Sequence, residues 1–267
     1  MRATTAAAFL AMALPLSTPQ AAEPVQLAAA GSLRAALEDV SEAFTARGGI
    51  PVARRYGASG LLRERIAGGE AAEVFAAANM AHPRALAELR GGSVVLFARN
   101  RLCALLAPGI SATPETLLER MLDPALRLGT STPRADPSGD YAWAAFARAE
   151  AVRPGARAAL ESKALTLTGG PDSPQPPAGQ SAYAWLLARG DAHVFLTYCT
   201  NAVPAAAAVP GASVVALPPE LAVGADYGLA LLGTRPEAAR LALFILSPEG
   251  QAVLARHGFE APGVSGE

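Results

Sequence analysis

Small polar residues with glycine or proline neighbours recur at four points where an apolar, strand-like run gives way to a helical pattern. A serine lies in each of these segments: Gly31-Ser32, Gly57-Ala58-Ser59-Gly60, Asp136-Pro137-Ser138-Gly139 and Ala178-Gly179-Gln180-Ser181. Any one of these serines could simply cap its helix. However, a helix start also offers free N–H groups and a partial positive charge, which attract anions. Because none of the four segments contains Arg or Lys, they predict an anion site built from neutral donors.

The elements that position these segments alternate along the chain. Short apolar runs predict strands, and amphipathic patterns predict helices, so we expect an α/β fold with mostly parallel sheets flanked by helices. In such folds, ligands bind at the carboxyl ends of the strands. The four serine segments are therefore expected to meet in a cleft between two lobes. The expected strands are at 25–30, 51–56, 74–78, 102–107, 127–129, 193–198, 214–217 and 227–232. Helices are expected from Ser32, from Ser59 and at 82–89, 138–150, 181–188, 236–246 and 248–257.

The chain of 267 residues begins like an exported protein. Residues 1–22 have a positive charge, an apolar run and then small residues, which predicts a secretory signal peptide. The rest is long enough for two lobes. We expect residues 23–102 and 223–267 to form the first lobe and residues 103–222 to form the second.

Composition and cysteine content limit the possible partners. A formal net charge of −1 gives no indication of a basic surface for nucleic acid. We also expect the protein to be a monomer and to have no resident cofactor. His82, His193 and His257 show no metal-ligand spacing with the two cysteines. In an oxidising compartment, Cys103 and Cys199 form either a disulfide or two buried free thiols.

The sequence also allows enzymatic functions, although it supports them less strongly than it supports an anion-binding protein. Ser59 has part of the surroundings of a hydrolase nucleophile, although the complete G-x-S-x-G pattern is absent, and one of the three histidines would have to act as its base. Asp136 and Asp140 could form a carboxylate pair, yet aspartate at a helix start is also a routine cap. A secreted serine hydrolase that uses Ser59 is therefore an alternative from another functional class.

Motifs along the whole predicted mature chain resemble those of the periplasmic molybdate-binding proteins of ABC importers, a type II periplasmic-binding family. The resemblance rests on the order and spacing of Ala28-Ala29-Ala30-Gly31-Ser32-Leu33, the block 56–79, the run 100–108, Asp136-Pro137-Ser138-Gly139-Asp140-Tyr141-Ala142, and Tyr198 with Asn201-Ala202-Val203. The sequence departs from the family pattern in three ways. Gly60 stands where the family often has another serine, Gly31 replaces a common alanine, and the loop 169–179 is rich in proline.

This resemblance implies two α/β lobes joined by two crossover strands, with a tetrahedral oxyanion bound between them. It also implies a ligand set: the hydroxyls of Ser32, Ser59 and Tyr198, with backbone groups at Ser138 and near Gln180. The implied ligand is molybdate or tungstate, delivered to a membrane permease. The open alternatives among binding proteins are another oxyanion or a small organic acid. A cleft-facing carboxylate of Asp136 or Asp140 would favour phosphate or a cation.

Overall fold

The structure of this protein is a computed structural model that describes residues 23–48 and 50–262. The predicted signal peptide, residues 1–22, lies outside the described residues. Over the described ranges, no helix is long and apolar enough to cross a bilayer.

Nine strands lie in one sheet within the described part of the chain. They are β1 (Val25–Ala30), β2 (Val52–Gly57), β3 (Val74–Ala77), β4 (Ser93–Leu106), β5 (Leu128–Ser131), β6 (Leu165–Thr168), β7 (Val194–Tyr198), β8 (Ser213–Ala216) and β9 (Gly224–Leu231). The helices are α1 (Arg34–Gly48), α2 (Ser59–Ala67), α3 (Ala81–Arg90), α4 (Leu117–Leu122), α5 (Pro137–Val152), α6 (Ala156–Lys163), α7 (Ala182–Ala188), α8 (Cys199–Ala208), α9 (Pro236–Leu246) and α10 (Pro248–Arg256), with short 3-10 turns at Gly31–Leu33 and Pro114–Thr116.

The sheet has the strand order β2-β1-β3-β9-β4-β7-β5-β6, and β8 pairs with β4. Strand β4 belongs to both halves, because its residues 93–101 pair with β9 and its residues 102–106 pair with β7. We call β1, β2, β3 and β9 the first half of the sheet, and β5, β6, β7 and β8 the second half. The sheet is mixed: β1 is parallel to β2 and β3, and β5 is parallel to β6 and β7, whereas every pairing of β4 and β9 is antiparallel.

Helices cover both faces of this sheet, as the alternating pattern predicts. Strands β1 and β3 are buried almost throughout, which explains why they appear in the sequence as continuous apolar runs instead of alternating ones. On one face, α1 packs against α9 and α10, with the rings of Phe44 and Phe244 5.7 Å apart. The α/β architecture expected from the sequence is thus present. Strand β6 and helices α6 and α8 are elements that the sequence pattern did not predict.

Cys103 and Cys199 form a disulfide in the structure, with Cα atoms 4.9 Å apart. Cys103 lies in β4, and Cys199 begins α8 directly after the last residue of β7. The bond therefore ties the end of β7, where Tyr198 lies, to the strand shared by both halves.

Candidate ligand-binding site

Ser59 is the first residue of α2, but it does not cap this helix. The residue in the capping position is Ala58, which has no side chain able to cap. The buried Ser59 Oγ instead accepts a hydrogen bond from the Ala78 N–H at 3.1 Å. The expectation that Ser59 is a helix cap is therefore wrong. A hydroxyl that accepts such a bond keeps its own hydrogen, so Ser59 can still donate to a ligand.

A second group of hydroxyls lies beside Ser59. Ser32 Oγ and the Tyr227 hydroxyl are 2.9 Å apart, and Asn100 Nδ2 donates to the same Tyr227 oxygen at 3.2 Å. The Tyr227 ring packs edge-on against Tyr198 with centroids 5.5 Å apart. The Tyr198 hydroxyl in turn points at the Ala78 carbonyl oxygen, at a long 3.5 Å. Ser32, Ser59 and Tyr198 are thus brought together around Ala78 and Tyr227.

Burial keeps both tyrosine hydroxyls of this group protonated. It is the main cause that raises the pKa of Tyr198 and that of Tyr227 above the usual tyrosine value. A neutral phenol can donate its O–H to an anion, whereas a phenolate would repel the anion.

Ser138 lies in the first turn of α5, and its two donors differ in availability. Its N–H donates to Asp136 Oδ1 at 3.0 Å, so Asp136 is the cap of this helix. Its Oγ is fully buried and has no hydrogen-bond partner in the described part of the chain. A buried hydroxyl without a partner is costly, which indicates that a ligand group belongs next to it.

The first turns of α2 and α5 meet across the two halves of the sheet. The Gly60 N–H donates to the Ala135 carbonyl oxygen at 2.9 Å, and Ala135 directly precedes the capping Asp136. Tyr141 of α5 packs against Tyr198 with ring centroids 6.2 Å apart. We call this region, formed by the first turns of α2 and α5 with Ser32, Ala78, Tyr198 and Tyr227, the helix-end junction.

Gln180 is not brought into the helix-end junction. Its side chain is exposed, and its backbone N–H donates to the Pro177 carbonyl oxygen within the proline-rich loop. Ser181, the next residue, caps α7 through a bond from the Ala184 N–H. The predicted role of the backbone near Gln180 stays a prediction.

Comparison with protein-family models identifies the family to which the chain belongs. Residues 25–260 match the model of the bacterial extracellular solute-binding proteins. The chain belongs to this solute-binding family. Among curated proteins, this solute-binding protein is similar to the uncharacterized protein PM1146 of Pasteurella multocida (strain Pm70). The two are 38% identical over 179 residues, which cover 66% of this chain and 74% of the relative.

Solved structures share the fold of this solute-binding protein at low sequence identity. The periplasmic molybdate-binding protein of Azotobacter vinelandii has a TM-score of 0.70 at 19% identity, over 89% of this chain and 99% of the other. The sulfate-binding protein SubI of Mycobacterium tuberculosis has a TM-score of 0.69 at 19% identity, over 90% of this chain and 88% of the other. PEB3 with bound L-phospholactate has a TM-score of 0.67 at 13% identity, over 88% of this chain and 99% of the other. Peb3 from Campylobacter jejuni has a TM-score of 0.65 at 14% identity, over 88% of this chain and 99% of the other.

Sequence reasoning missed Tyr227 of the helix-end junction and Asn100, which donates a hydrogen bond to it. Tyr227 and Asn100 lie in predicted or observed strands and are buried, but nothing in their neighbourhood marks them as polar partners of Ser32. The available signal for Tyr227 was a tyrosine followed by glycine in an otherwise small-residue strand. Asp136 was weighed both as a cleft-facing carboxylate and as a routine helix cap, and the structure shows the cap.

Proposed function

We propose that this solute-binding protein captures molybdate or tungstate at the helix-end junction and delivers it from the periplasm to the membrane permease of an ABC importer. One observation carries the proposal: the N-terminal ends of α2 and α5, which come from opposite halves of the sheet, are in contact through Gly60 and Ala135. Two helix N-termini that face one site combine their partial positive charges.

The donors around the junction suit an oxyanion that carries no proton. The Ser59 and Ser138 hydroxyls keep hydrogens that no described acceptor takes, and the Tyr198 hydroxyl makes only a long bond that a ligand oxygen can replace. A fully deprotonated molybdate accepts hydrogen bonds and donates none. Hydrogen bonds to a charged group contribute about 1.5–3 kcal/mol each, so a few such donors hold the ion without any Arg or Lys.

A thermal-shift and calorimetry series on the purified chain tests this function. Molybdate and tungstate are expected to raise the unfolding temperature most, and to bind with one ion per chain. Sulfate has shorter bonds, so it would leave a molybdate-sized site less well contacted. If sulfate or phosphate bound tighter than molybdate, the molybdate proposal would be wrong, while oxyanion capture would stand. If no oxyanion bound, the proposals of molybdate capture and of oxyanion capture in general would both be wrong.

A second candidate ligand is another oxyanion or a small organic acid. The similar fold of a sulfate-binding protein and of PEB3 with L-phospholactate supports this alternative. Adding phospholactate and phosphate to the same series separates the candidates directly.

The serine hydrolase alternative finds little support in the geometry. Within the described residues, the hydrogen bond of Ser59 Oγ is to a backbone N–H and not to an imidazole. His193 interacts with Arg127 and His257 with Asp39. The buried Nε2 of His82 has no hydrogen-bond partner among the described residues, Ser59 included. A chromogenic ester added to the binding series would reveal any esterase activity.

A further inference from the structure

Asp136 places a carboxyl group at the positive end of α5. Its Oδ1 accepts the Ser138 N–H at 3.0 Å. On its other side, Gly169 leaves no room: a Cβ on Gly169 would overlap the Cβ and Oδ2 atoms of Asp136. The carboxyl is therefore held in place at the N-terminus of α5, next to the helix-end junction.

Among the residues that the structure describes, no positive charge pairs with Asp136. Ser131 Oγ lies 2.8 Å from Thr168 Oγ1, and both residues are buried. The nearby side chains include the buried Tyr198 of β7 and Tyr227 of β9 and the half-buried Tyr183 of α7, all of which are neutral phenols whose pKa Asp136 helps to raise.

The nearest charges also fail to neutralise this carboxyl. Asp140 of α5 is negative and adds to the repulsion, and Arg134 directs its side chain to solvent. Burial, the largest cause, raises the pKa of Asp136 from its usual 3.8 to about 6. A proton on this carboxyl is therefore less costly than on an exposed aspartate.

We infer that the helix-end junction binds its oxyanion together with one proton, which Asp136 shares with a ligand oxygen. The reason is that two fixed oxyanions cannot lie in contact while both are fully ionised. With one proton between them, the repulsion becomes a charge-assisted hydrogen bond. The inference rests on the proposed function, because it assumes an oxyanion at this junction.

The proton can come from two sources, which define two classes of ligand. Molybdate brings no proton, so Asp136 must take one from solvent as molybdate binds. Hydrogen phosphate and phosphate monoesters can bring their own proton, and an ionised Asp136 then accepts it. Asp136 thereby determines how much the site favours one class over the other at a given pH.

The test is the pH dependence of molybdate affinity, measured by calorimetry from about pH 6 to about pH 8.5. Above the pKa of the free carboxyl, the Kd of the wild-type protein should rise by about tenfold per pH unit, because one proton enters with each ion. Repeating the titration in buffers of different ionisation enthalpy should show uptake of about one proton per ion. Asp136→Asn keeps a capping oxygen for the Ser138 N–H but removes the charge, so its Kd should be flat with pH and lower than that of the wild type at pH 8.

A control variant and a second ligand make the result of this pH series decisive. Glu150→Gln removes a charge of the same sign from the opposite end of the same helix, and it should change Kd by a small factor that does not depend on pH. With phosphate as the ligand, Asp136→Asn should weaken binding instead of strengthening it. A wild-type Kd for molybdate that stays constant over the range, with Asp136→Asn equal to it, would overturn the inference. Failure of every oxyanion to bind the wild-type protein would instead overturn the proposed function.

Discussion

Gly60 and Ala135 are joined by a backbone hydrogen bond of 2.9 Å that links the first turn of α2 to the loop before α5. A Cβ on Gly60 would overlap the carbonyl oxygens of Arg134 and Ala135. Arg134 itself adopts a φ of 67°, which is uncommon for a residue other than glycine. Its N–H donates to Asp140 Oδ1 at 2.8 Å, so the loop is fixed in the conformation that meets Gly60. The two halves can approach this closely only because residue 60 has no side chain.

Replacing Gly60 by alanine should keep the two helix ends apart. The added Cβ would meet backbone atoms that cannot move aside easily, so the Kd for molybdate should rise by roughly tenfold or more. Small-angle scattering should then show no compaction on adding the ligand. Gly57→Ala is the matched control, because a Cβ there would meet only side-chain atoms of Leu62 at 3.6 Å, an ordinary contact. Equal affinity in both variants would contradict the steric role of Gly60.

Ser59→Ala should affect binding and stability together, although not through loss of a helix cap. The substitution leaves the buried Ala78 N–H without its acceptor, a loss of about 1–3 kcal/mol in the free energy of unfolding. It also removes a ligand donor, so the Kd should rise roughly ten- to a hundredfold. Ser59→Asp brings a negative charge against the dianion and should abolish binding. Calorimetry and urea unfolding measure both effects.

The control for this pair is Ser41→Ala. Ser41 is equally buried, but its hydroxyl donates to the Leu37 carbonyl oxygen within α1. This variant should bind molybdate like the wild type. If Ser59→Asp also bound molybdate normally, Ser59 would be purely structural and the ligand would bind elsewhere.

Tyr198→Phe should weaken binding with little loss of stability. The Tyr198 ring keeps its contacts with Tyr141 and Tyr227, while the hydroxyl gives up only a long bond to the Ala78 carbonyl oxygen. We expect roughly a tenfold rise in Kd and an unfolding midpoint close to that of the wild type. A normal Kd would show that the Tyr198 hydroxyl does not touch the ligand.

Reduction of the Cys103–Cys199 bond should destabilise the protein without abolishing binding. The two residues are 96 positions apart, and closing a long loop contributes about 2–4 kcal/mol to the free energy of unfolding. Urea unfolding with and without reductant measures the difference, and a Cys103→Ser, Cys199→Ser double variant should lose its sensitivity to reductant. An unfolding midpoint that is the same with and without reductant would contradict this.

The Asp136 carboxyl should make the unliganded protein less stable at neutral pH. Its folded-state pKa of about 6 lies above its usual 3.8, so its contribution to stability is fully present below about pH 4 and is lost as the pH rises through 6. Asp136→Asn keeps the cap without the charge. Its free energy of unfolding should exceed that of the wild type by on the order of 1–3 kcal/mol above pH 7 and match it near pH 4. Urea unfolding at several pH values measures this, and an equal difference at both ends would contradict the assignment.

The sequence predicted the elements whose patterns are local, and it failed where tertiary contacts decide. Residues 25–30 and 236–246 were predicted with their observed bounds, because one is a continuous apolar run and the other starts at proline on a strong apolar face. The first part of β4, residues 93–101, was missed. It is an apolar run, Val94 to Ala98, that ends in Arg99, Asn100 and Arg101, and its partner β9 is more than a hundred positions away.

The site was less predictable than the fold for a related reason. Serine at a strand-to-helix junction marks a helix start, but it does not reveal which atom its hydroxyl will contact. Ser59 was therefore expected to cap α2, whereas the structure directs it to Ala78 at the end of β3. The pairing of Ser32 with Tyr227 joins residues 195 positions apart, which no local pattern can indicate.

The position of β9 has a consequence for the order in which the protein can assemble. Strands β3 and β4 follow one another in the chain, yet β9 lies between them and pairs with both. Until residues 224–231 have been synthesised, β3 and β4 each present an unpaired edge, and the contacts that complete the sheet are of long range. A nascent chain that ends before β9 therefore cannot lock into the finished structure. For the export that the sequence of residues 1–22 predicts, this delay would keep the chain unfolded until it is carried across the membrane.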